Sequence, residues 1–119
     1  MGYTTRFSGS FRIDRELDET TKLILEQLHD RRHDDYEWIG LPGIWCHWRA
    51  GSDNQSLEWD QGEKFYEYEK WLAYIVNFVL VPAGYGLEGS VLYQGERVGD
   101  CGRITVDNES IRVEKGWEV

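Results

Sequence analysis

Residues 57–84 carry the clearest hydrophobic pattern of the chain and organise the predicted fold. Apolar side chains recur there at spacings of three and four, which is one face of a helix. These positions are Phe65, Tyr68, Leu72, Ile75, Val76 and Val79. Asp60 and Glu63 have the spacing of a capping box, whereas Pro82 and Gly84 are typical of a helix end. We therefore predict a strand at 57–60 and a long helix from about 61 to 81, apolar nearly all round in its second half.

Residues 3–13 alternate between apolar and polar side chains, which predicts one half-buried strand. Its buried face comprises Tyr3, Thr5, Phe7, Gly9, Phe11 and Ile13. Arg6 and Arg12 lie on the solvent face. Gly9 inside this pattern is typical of a bulge or of a close backbone approach.

A first helix is predicted over residues 19–32, with Asp18 as its cap and Arg31 and Arg32 at its dipole-negative end. Its expected buried stripe is Leu17, Thr21, Ile24, Leu25 and Leu28. Residues 33–43 read as a polar loop held by the aromatic side chains of Tyr36 and Trp38.

The remaining pattern predicts strands. Residues 44–49 form a hairpin with 57–60, residues 87–94 form a further strand, and 103–106 and 111–113 form a C-terminal β-hairpin. Trp117 is expected to cover an edge of the core. The order β-α-β-β-α-β is the ferredoxin-like, split βαβ order, in which two helices cover one face of an antiparallel sheet. We predict a single α+β domain spanning residues 1–119.

The acidic composition of the chain limits the kinds of partner that it can bind. The chain has 119 residues, a net charge of -9 and a pI of about 4.7, which argues against direct binding of nucleic acid through its phosphates. Between residues 53 and 69 there are six acids and one base, Lys64. Two interpretations stay open for this acidic stretch: a solvated face that maintains solubility, or a docking surface for a basic partner, including a surface that imitates nucleic acid.

Location is inferred from two further features. The apolar run of about eleven residues near 71–81 is too short for a membrane span, which needs about twenty. No secretory signal precedes the first strand, so we expect a cytoplasmic protein in which Cys46 and Cys101 are reduced thiols. A disulfide between the two remains an alternative.

Candidate chemistry is sparse. His29 and His33 have the spacing of two zinc ligands on one helical face, and Cys46 or His47 would have to complete such a site; two ordinary surface histidines are the preferred interpretation. Cys46 and His47 are neighbours on a strand and point to opposite faces, so Cys46 is interpreted as a core residue.

Glu58, Asp60 and Glu63 could act as paired carboxylates in a hydrolase, but the predicted cap already explains two of them. The glycines at 84, 86 and 89 precede a strand and form no dinucleotide fingerprint. We therefore predict no catalytic residue, no metal and no cofactor.

Four motifs point to a family. They are GYTTxFSGSF at residues 2–11, PGxWCxW at 42–48, EWDxGEKFY at 58–66, and GYGLEG at 84–89 followed by YQGE at 93–96. The chain resembles, over most of its length, small bacteriophage and prophage proteins, notably of actinobacteria. Those proteins often carry a longer segment between the first helix and the PGxWC strand. The resemblance implies a phage or mobile-element origin and no particular activity.

Charge, size and this origin favour a non-enzymatic binding protein. The expected partner is a host protein with a basic nucleic-acid-binding surface, and the most specific hypothesis is anti-CRISPR-like inhibition of a host nucleic-acid-directed defence complex. The predicted partner-binding residues are Glu58, Trp59, Asp60, Glu63, Tyr66, Glu67 and Glu69. The alternative is a structural phage protein that forms oligomers, such as a homodimer, through an exposed aromatic patch.

Overall fold

A computed structural model describes residues 2–116 and confirms the α+β class with an antiparallel sheet. Its seven strands are β1 (Arg6–Ser8), β2 (Phe11–Ile13), β3 (Trp48–Ala50), β4 (Ser56–Trp59), β5 (Leu87–Gln94), β6 (Cys101–Asp107) and β7 (Ser110–Lys115). The helices are α1 (Glu19–Asp30), α2 (Tyr36–Ile39) and α3 (Tyr68–Tyr74), and α3 continues directly into a π-helix, Ile75–Leu80.

The strands are arranged β3-β4-β2-β5-β6-β7, and every pair is antiparallel. One edge of β5 pairs with β6, and the opposite edge pairs with β2 at one end and with β1 at the other. Leu87 faces Ile13 of β2, and Tyr93 faces Phe7 of β1. β5 is therefore the strand that joins the N-terminal segment to the C-terminal hairpin β6–β7.

The prediction of one strand over residues 3–13 is wrong, because the chain divides at Gly9. Gly9 has a φ of 101°, and a Cβ at this position would stand 3.2 Å from the Ser90 carbonyl oxygen. Only glycine takes this conformation and this approach without strain. The predicted alternation nevertheless holds on either side of the break: Phe7, Phe11 and Ile13 are buried.

The core is one cluster of side chains from β1 to β6, α1 and the α3 region, and its aromatic part lies where the N-terminal strands meet β3, β4 and α3. Phe7 makes edge contacts with Trp48 and Tyr68, each at a ring-centroid distance of 5.1 Å. Trp48 and Trp71 are the largest fully buried side chains. This aromatic packing fixes the segments that lead into β3 and α3.

The predicted long helix over 61–81 begins later than expected, and the capping box of Asp60 and Glu63 is wrong. Gln61, Lys64 and Glu67 all have φ angles near +60°, which a helix interior does not allow. α3 starts only at Tyr68, after Glu67, whose side chain makes no capping hydrogen bond. The predicted burial of the second half is confirmed for Ile75, Val76 and Leu80, but Phe78 is 70% exposed, so one side of this segment faces solvent.

α1 confirms the predicted cap: the Asp18 side chain accepts a hydrogen bond from the Thr21 amide at 2.7 Å. The helix ends at Asp30 because Arg31 is extended. Ile24, predicted to be buried, is exposed. Leu17, Thr21 and Leu25 of the same predicted stripe are buried.

The segment after α1 and the C-terminal region complete the fold. The predicted loop over 33–43 contains α2, and Trp38, expected to hold this loop to the core, is 92% exposed. Trp117 lies outside the described residues. No helix within residues 2–116 is long and apolar enough to cross a membrane.

Candidate functional site

Asp60 is the centre of a polar cluster formed by three separate segments. Its Oδ2 lies 2.7 Å from Nε2 of His29, at the end of α1, and 2.9 Å from Nδ1 of His47, which precedes β3. Its Oδ1 accepts a hydrogen bond from the Gly62 amide at 2.6 Å. Asp60 thus ties the end of α1 to both strands of the β3–β4 hairpin.

The charge of Asp60 is stabilised by its hydrogen bonds. Burial disfavours the ionised carboxylate, but the hydrogen bonds from His47, from the Gly62 amide and from His29 outweigh this cost and lower the pKa of Asp60. The other ring nitrogen of His29, Nδ1, lies 2.7 Å from the Asp30 carboxylate. His29 therefore bridges two carboxylates, and it can donate to both only when its ring carries two protons.

Gly62 makes room for this cluster. A Cβ at residue 62 would stand 2.5 Å from Nδ1 of His47 and 2.7 Å from Oδ1 of Asp60. Any side chain here would have to push His47 or Asp60 away. The glycine of the EWDxGEKFY motif is therefore required by the close approach of the loop to the histidine ring.

A groove of about 620 Å³ opens beside the cluster, and His47 belongs to both. Its apolar walls include Ile44 and the rings of Tyr36, Trp45 and Tyr66. Its charged residues are Glu63, Lys64 and Glu67. Since Nδ1 of His47 faces Asp60, the carboxylate fixes the orientation of a ring that lines the groove.

Three of the predicted partner-binding residues, Glu63, Tyr66 and Glu67, lie together in the lining of this groove. The other four have different surroundings. Glu58 forms an ion pair with Arg49 at 3.2 Å, and Asp60 is held in the histidine cluster. Trp59 is half-buried, with its Nε1 donating to the Gly62 carbonyl, and Glu69 lies in α3 outside the groove lining.

Sequence reasoning missed His47, Trp45 and Ile44 as parts of the site. The PGxWCxW motif held the signal, because alternation about the buried Cys46 places Trp45 and His47 on the side away from the core. The motif did not indicate that Trp45 and His47 would line a groove together with residues 63–67. This arrangement depends on the irregular backbone after β4, for which the sequence has no periodic pattern.

The interpretation of His29 and His33 as surface residues is wrong for His33, whereas His29 is partly exposed. His33 lies beyond the end of α1, is 5% exposed, and has its Nε2 2.9 Å from the Leu28 carbonyl oxygen. Hence the two rings do not share a helical face. Within residues 2–116, no group of three or more His, Cys, Asp or Glu side chains has an arrangement that could hold a metal ion.

Neither Cys46 nor Cys101 forms a disulfide. Cys46 is buried, as predicted, and burial raises its pKa to about 12. A thiol of this kind stays protonated and unreactive at neutral pH. Cys46 and His47 therefore do not form a nucleophile–base pair.

Comparisons of the chain with protein-family models, with curated proteins and with solved structures give no significant match. The groove and its histidine cluster must therefore be interpreted from their own geometry.

Proposed function

We propose that this protein is a small acidic binding protein that docks on a basic surface of another protein. The observation that carries the proposal is the groove, in which Trp45 and Tyr66 remain partly exposed beside Glu63 and Glu67. Partly exposed aromatic side chains inside a ring of charge are typical of protein interfaces.

Charge supports the same kind of partner. The chain carries a net charge of -9, and acids outnumber bases six to one between residues 53 and 69. Such a charge attracts a basic surface over about a Debye length, which accelerates association and makes it fall with salt. It also opposes direct contact with nucleic acid, so the partner is a protein.

We further propose that the partner is a host protein with a basic nucleic-acid-binding surface, in the cytoplasm of a bacterial host. The resemblance to phage proteins and the acidic groove favour an anti-CRISPR-like inhibitor of a nucleic-acid-directed defence complex. The proposed mode of action is occupation of the basic surface, without chemistry or cofactor. The described lining of the groove includes no Ser, Thr or Cys that could act as a nucleophile, which supports a binding role.

The test is a plaque assay in bacteria that carry an RNA-guided nuclease directed against the infecting phage. We expect expression of the wild-type protein to restore plaques. A variant with Glu58→Lys, Glu63→Lys and Glu67→Lys should lose this effect, because it reverses the two carboxylates of the groove and a third one in the same acidic stretch. The control variant carries Glu16→Lys, Glu26→Lys and Glu109→Lys. It changes the net charge by the same amount at exposed positions elsewhere and should still restore plaques.

Absence of plaque restoration by the wild-type protein against all tested defence systems would contradict the inhibitor proposal. Equal restoration by the two triple variants would contradict the role of the groove. Circular dichroism of both variants checks that each remains folded.

A second candidate function, self-association, rests on two exposed aromatic side chains. Trp38 in α2 is 92% exposed, and Phe78 in the π-helix is 70% exposed. Exposed aromatic surface can form a dimer contact. Light scattering across a wide concentration range tests this: a dimer that dissociates in Trp38→Ala or Phe78→Ala supports it, and a monomer at all concentrations contradicts it.

For the fold, we infer the split βαβ arrangement for the elements up to β5, with two helices on one sheet face. Support comes from the antiparallel neighbours β3-β4-β2-β5, the order that this arrangement requires. Contacts of α1 with both the π-helix and β3 are consistent with helices that share one layer.

A further inference from the structure

The walls of the groove are aromatic on several sides. Tyr36 comes from α2, Trp45 from the segment before β3, and Tyr66 from the irregular segment before α3. Trp45 is 43% exposed and Tyr66 is 54% exposed, so both retain ring surface that the chain itself does not cover. A cavity of about 620 Å³ is within the usual size range of ligand sites.

The charged residues of the groove favour a cation. Two carboxylates, Glu63 and Glu67, stand against one ammonium group, Lys64. A third carboxylate, Asp60, lies directly behind His47. Glu67 is paired with Lys70 at 3.2 Å, but both side chains are well exposed, and such pairs are weak enough to exchange with an incoming cation.

Among biological cations, a guanidinium group suits these surroundings best. It is planar, so it stacks on Trp and Tyr rings, and its N–H groups form a fork that matches a carboxylate. An ammonium group is more strongly hydrated and offers no flat face. The chain already uses this contact within its own fold, where the Arg15 guanidinium lies 4.1 Å from the centre of the Tyr85 ring and that of Arg97 lies 5.8 Å from the centre of the Tyr3 ring.

We infer that the groove binds an arginine side chain of the partner protein, with the guanidinium against Trp45 and Tyr66 and near the carboxylates of Glu63 and Glu67. This inference rests on the proposed docking function and specifies the chemistry that the groove recognises. The hydrogen bond from His47 to Asp60 positions one wall of the site.

The test is a titration of the ¹⁵N-labelled full chain with blocked pentapeptides, observed by NMR. The central residue is arginine, lysine, or citrulline, the neutral isostere of arginine, between alanines. The indole N–H signal of Trp45 is assigned with the Trp45→Phe variant. We expect the arginine peptide to shift this signal saturably and to bind about tenfold more tightly than the citrulline peptide, with lysine between them.

The variant Glu63→Gln, Glu67→Gln should reduce the preference for arginine over citrulline to about twofold or less. The control variant Glu16→Gln, Glu26→Gln removes two exposed charges elsewhere and should keep the tenfold preference. Equal affinities for arginine and citrulline, tighter binding of lysine, shifts confined to residues outside the groove, or no binding would each overturn the inference.

This result is separable from the plaque assay. If the peptides show no arginine preference while the groove-reversed triple variant still loses plaque restoration, the docking proposal stands and the arginine site does not. If arginine binds as expected but neither triple variant affects plaque restoration, the groove is a guanidinium site and the proposed inhibition through it is wrong.

Discussion

Asp60 determines the local structure of the site. Its carboxylate accepts a hydrogen bond from the nearby Gly62 amide and faces the imidazole rings of His29 and His47, which come from two other segments of the chain. The Gly62 bond is of the kind that a helix cap makes, but no helix follows it, because Gln61 and Lys64 have φ angles near +60°. Asp60 thus holds the end of α1 against the β3–β4 hairpin instead of starting a helix.

Substitution of this residue should change how stability depends on pH. The pKa of Asp60 is lower in the folded protein than its usual value of 3.8, so the ionised carboxylate stabilises the fold above about pH 4. This stabilisation is lost as the pH falls through the folded-state pKa. Asp60→Asn should therefore cost roughly 1–3 kcal/mol of unfolding free energy at pH 7, and the cost should shrink towards pH 3.

Urea unfolding of wild type and Asp60→Asn at several pH values measures this difference. Asp34→Asn is the matched control, since Asp34 is an exposed carboxylate paired with Arg32. Its pH curve should follow that of the wild type. A constant difference between wild type and Asp60→Asn from pH 7 to pH 3 would contradict the assignment.

Gly62 is a second residue whose substitution has a specific expected result. Gly62→Ala should cost about 1–3 kcal/mol, because the new methyl group overlaps the His47 ring and the Asp60 carboxylate. In a His47→Ala background most of this overlap is absent, so the same substitution should cost clearly less. Thermal or urea unfolding of the four proteins in this double-mutant cycle provides the measurement, and equal costs in both backgrounds would exclude the close contact with His47.

Among the elements of the fold, the regular strands and helix caps could be predicted from the sequence, but the irregular segments of backbone could not. The alternation of Phe7, Phe11 and Ile13, the cap at Asp18 and the strand over residues 87–94 all follow from local periodicity or capping chemistry, and the structure confirms them. The break at Gly9 and the irregular segment 61–67 depend on contacts with distant segments. Because the groove is built from that segment, the sequence indicated some of its residues but not their arrangement.

The break between β1 and β2 can be tested directly. Gly9→Ala should destabilise the protein by about 1–3 kcal/mol, because alanine is strained at a φ of 101° and its methyl group would contact the Ser90 carbonyl oxygen. Ser8→Ala, next to it in an exposed position, should change the unfolding free energy by about 0.5 kcal/mol or less. Equal changes in unfolding free energy for Gly9→Ala and Ser8→Ala would contradict the requirement for glycine at residue 9.

At the scale of the whole molecule, charge and shape act in the same region. The acidic stretch 53–69 includes two carboxylates and Tyr66 of the groove, and the other aromatic lining residues, Tyr36 and Trp45, come from residues 36–45. Long-range attraction would bring a basic partner to this face, and the groove would then select a side chain on it. We propose that the groove, rather than net charge alone, is the docking site.

The most direct test is affinity capture from lysate of a bacterial host at low and high salt, with quantitative mass spectrometry. Three baits are compared: the wild type, the variant Glu58→Lys, Glu63→Lys, Glu67→Lys, and the matched control Glu16→Lys, Glu26→Lys, Glu109→Lys. We expect a basic nucleic-acid-binding complex on the wild type and on the control at low salt, depleted at high salt and absent from the groove variant. Capture of the same complex by all three baits, or of none by the wild type, would contradict docking through the groove.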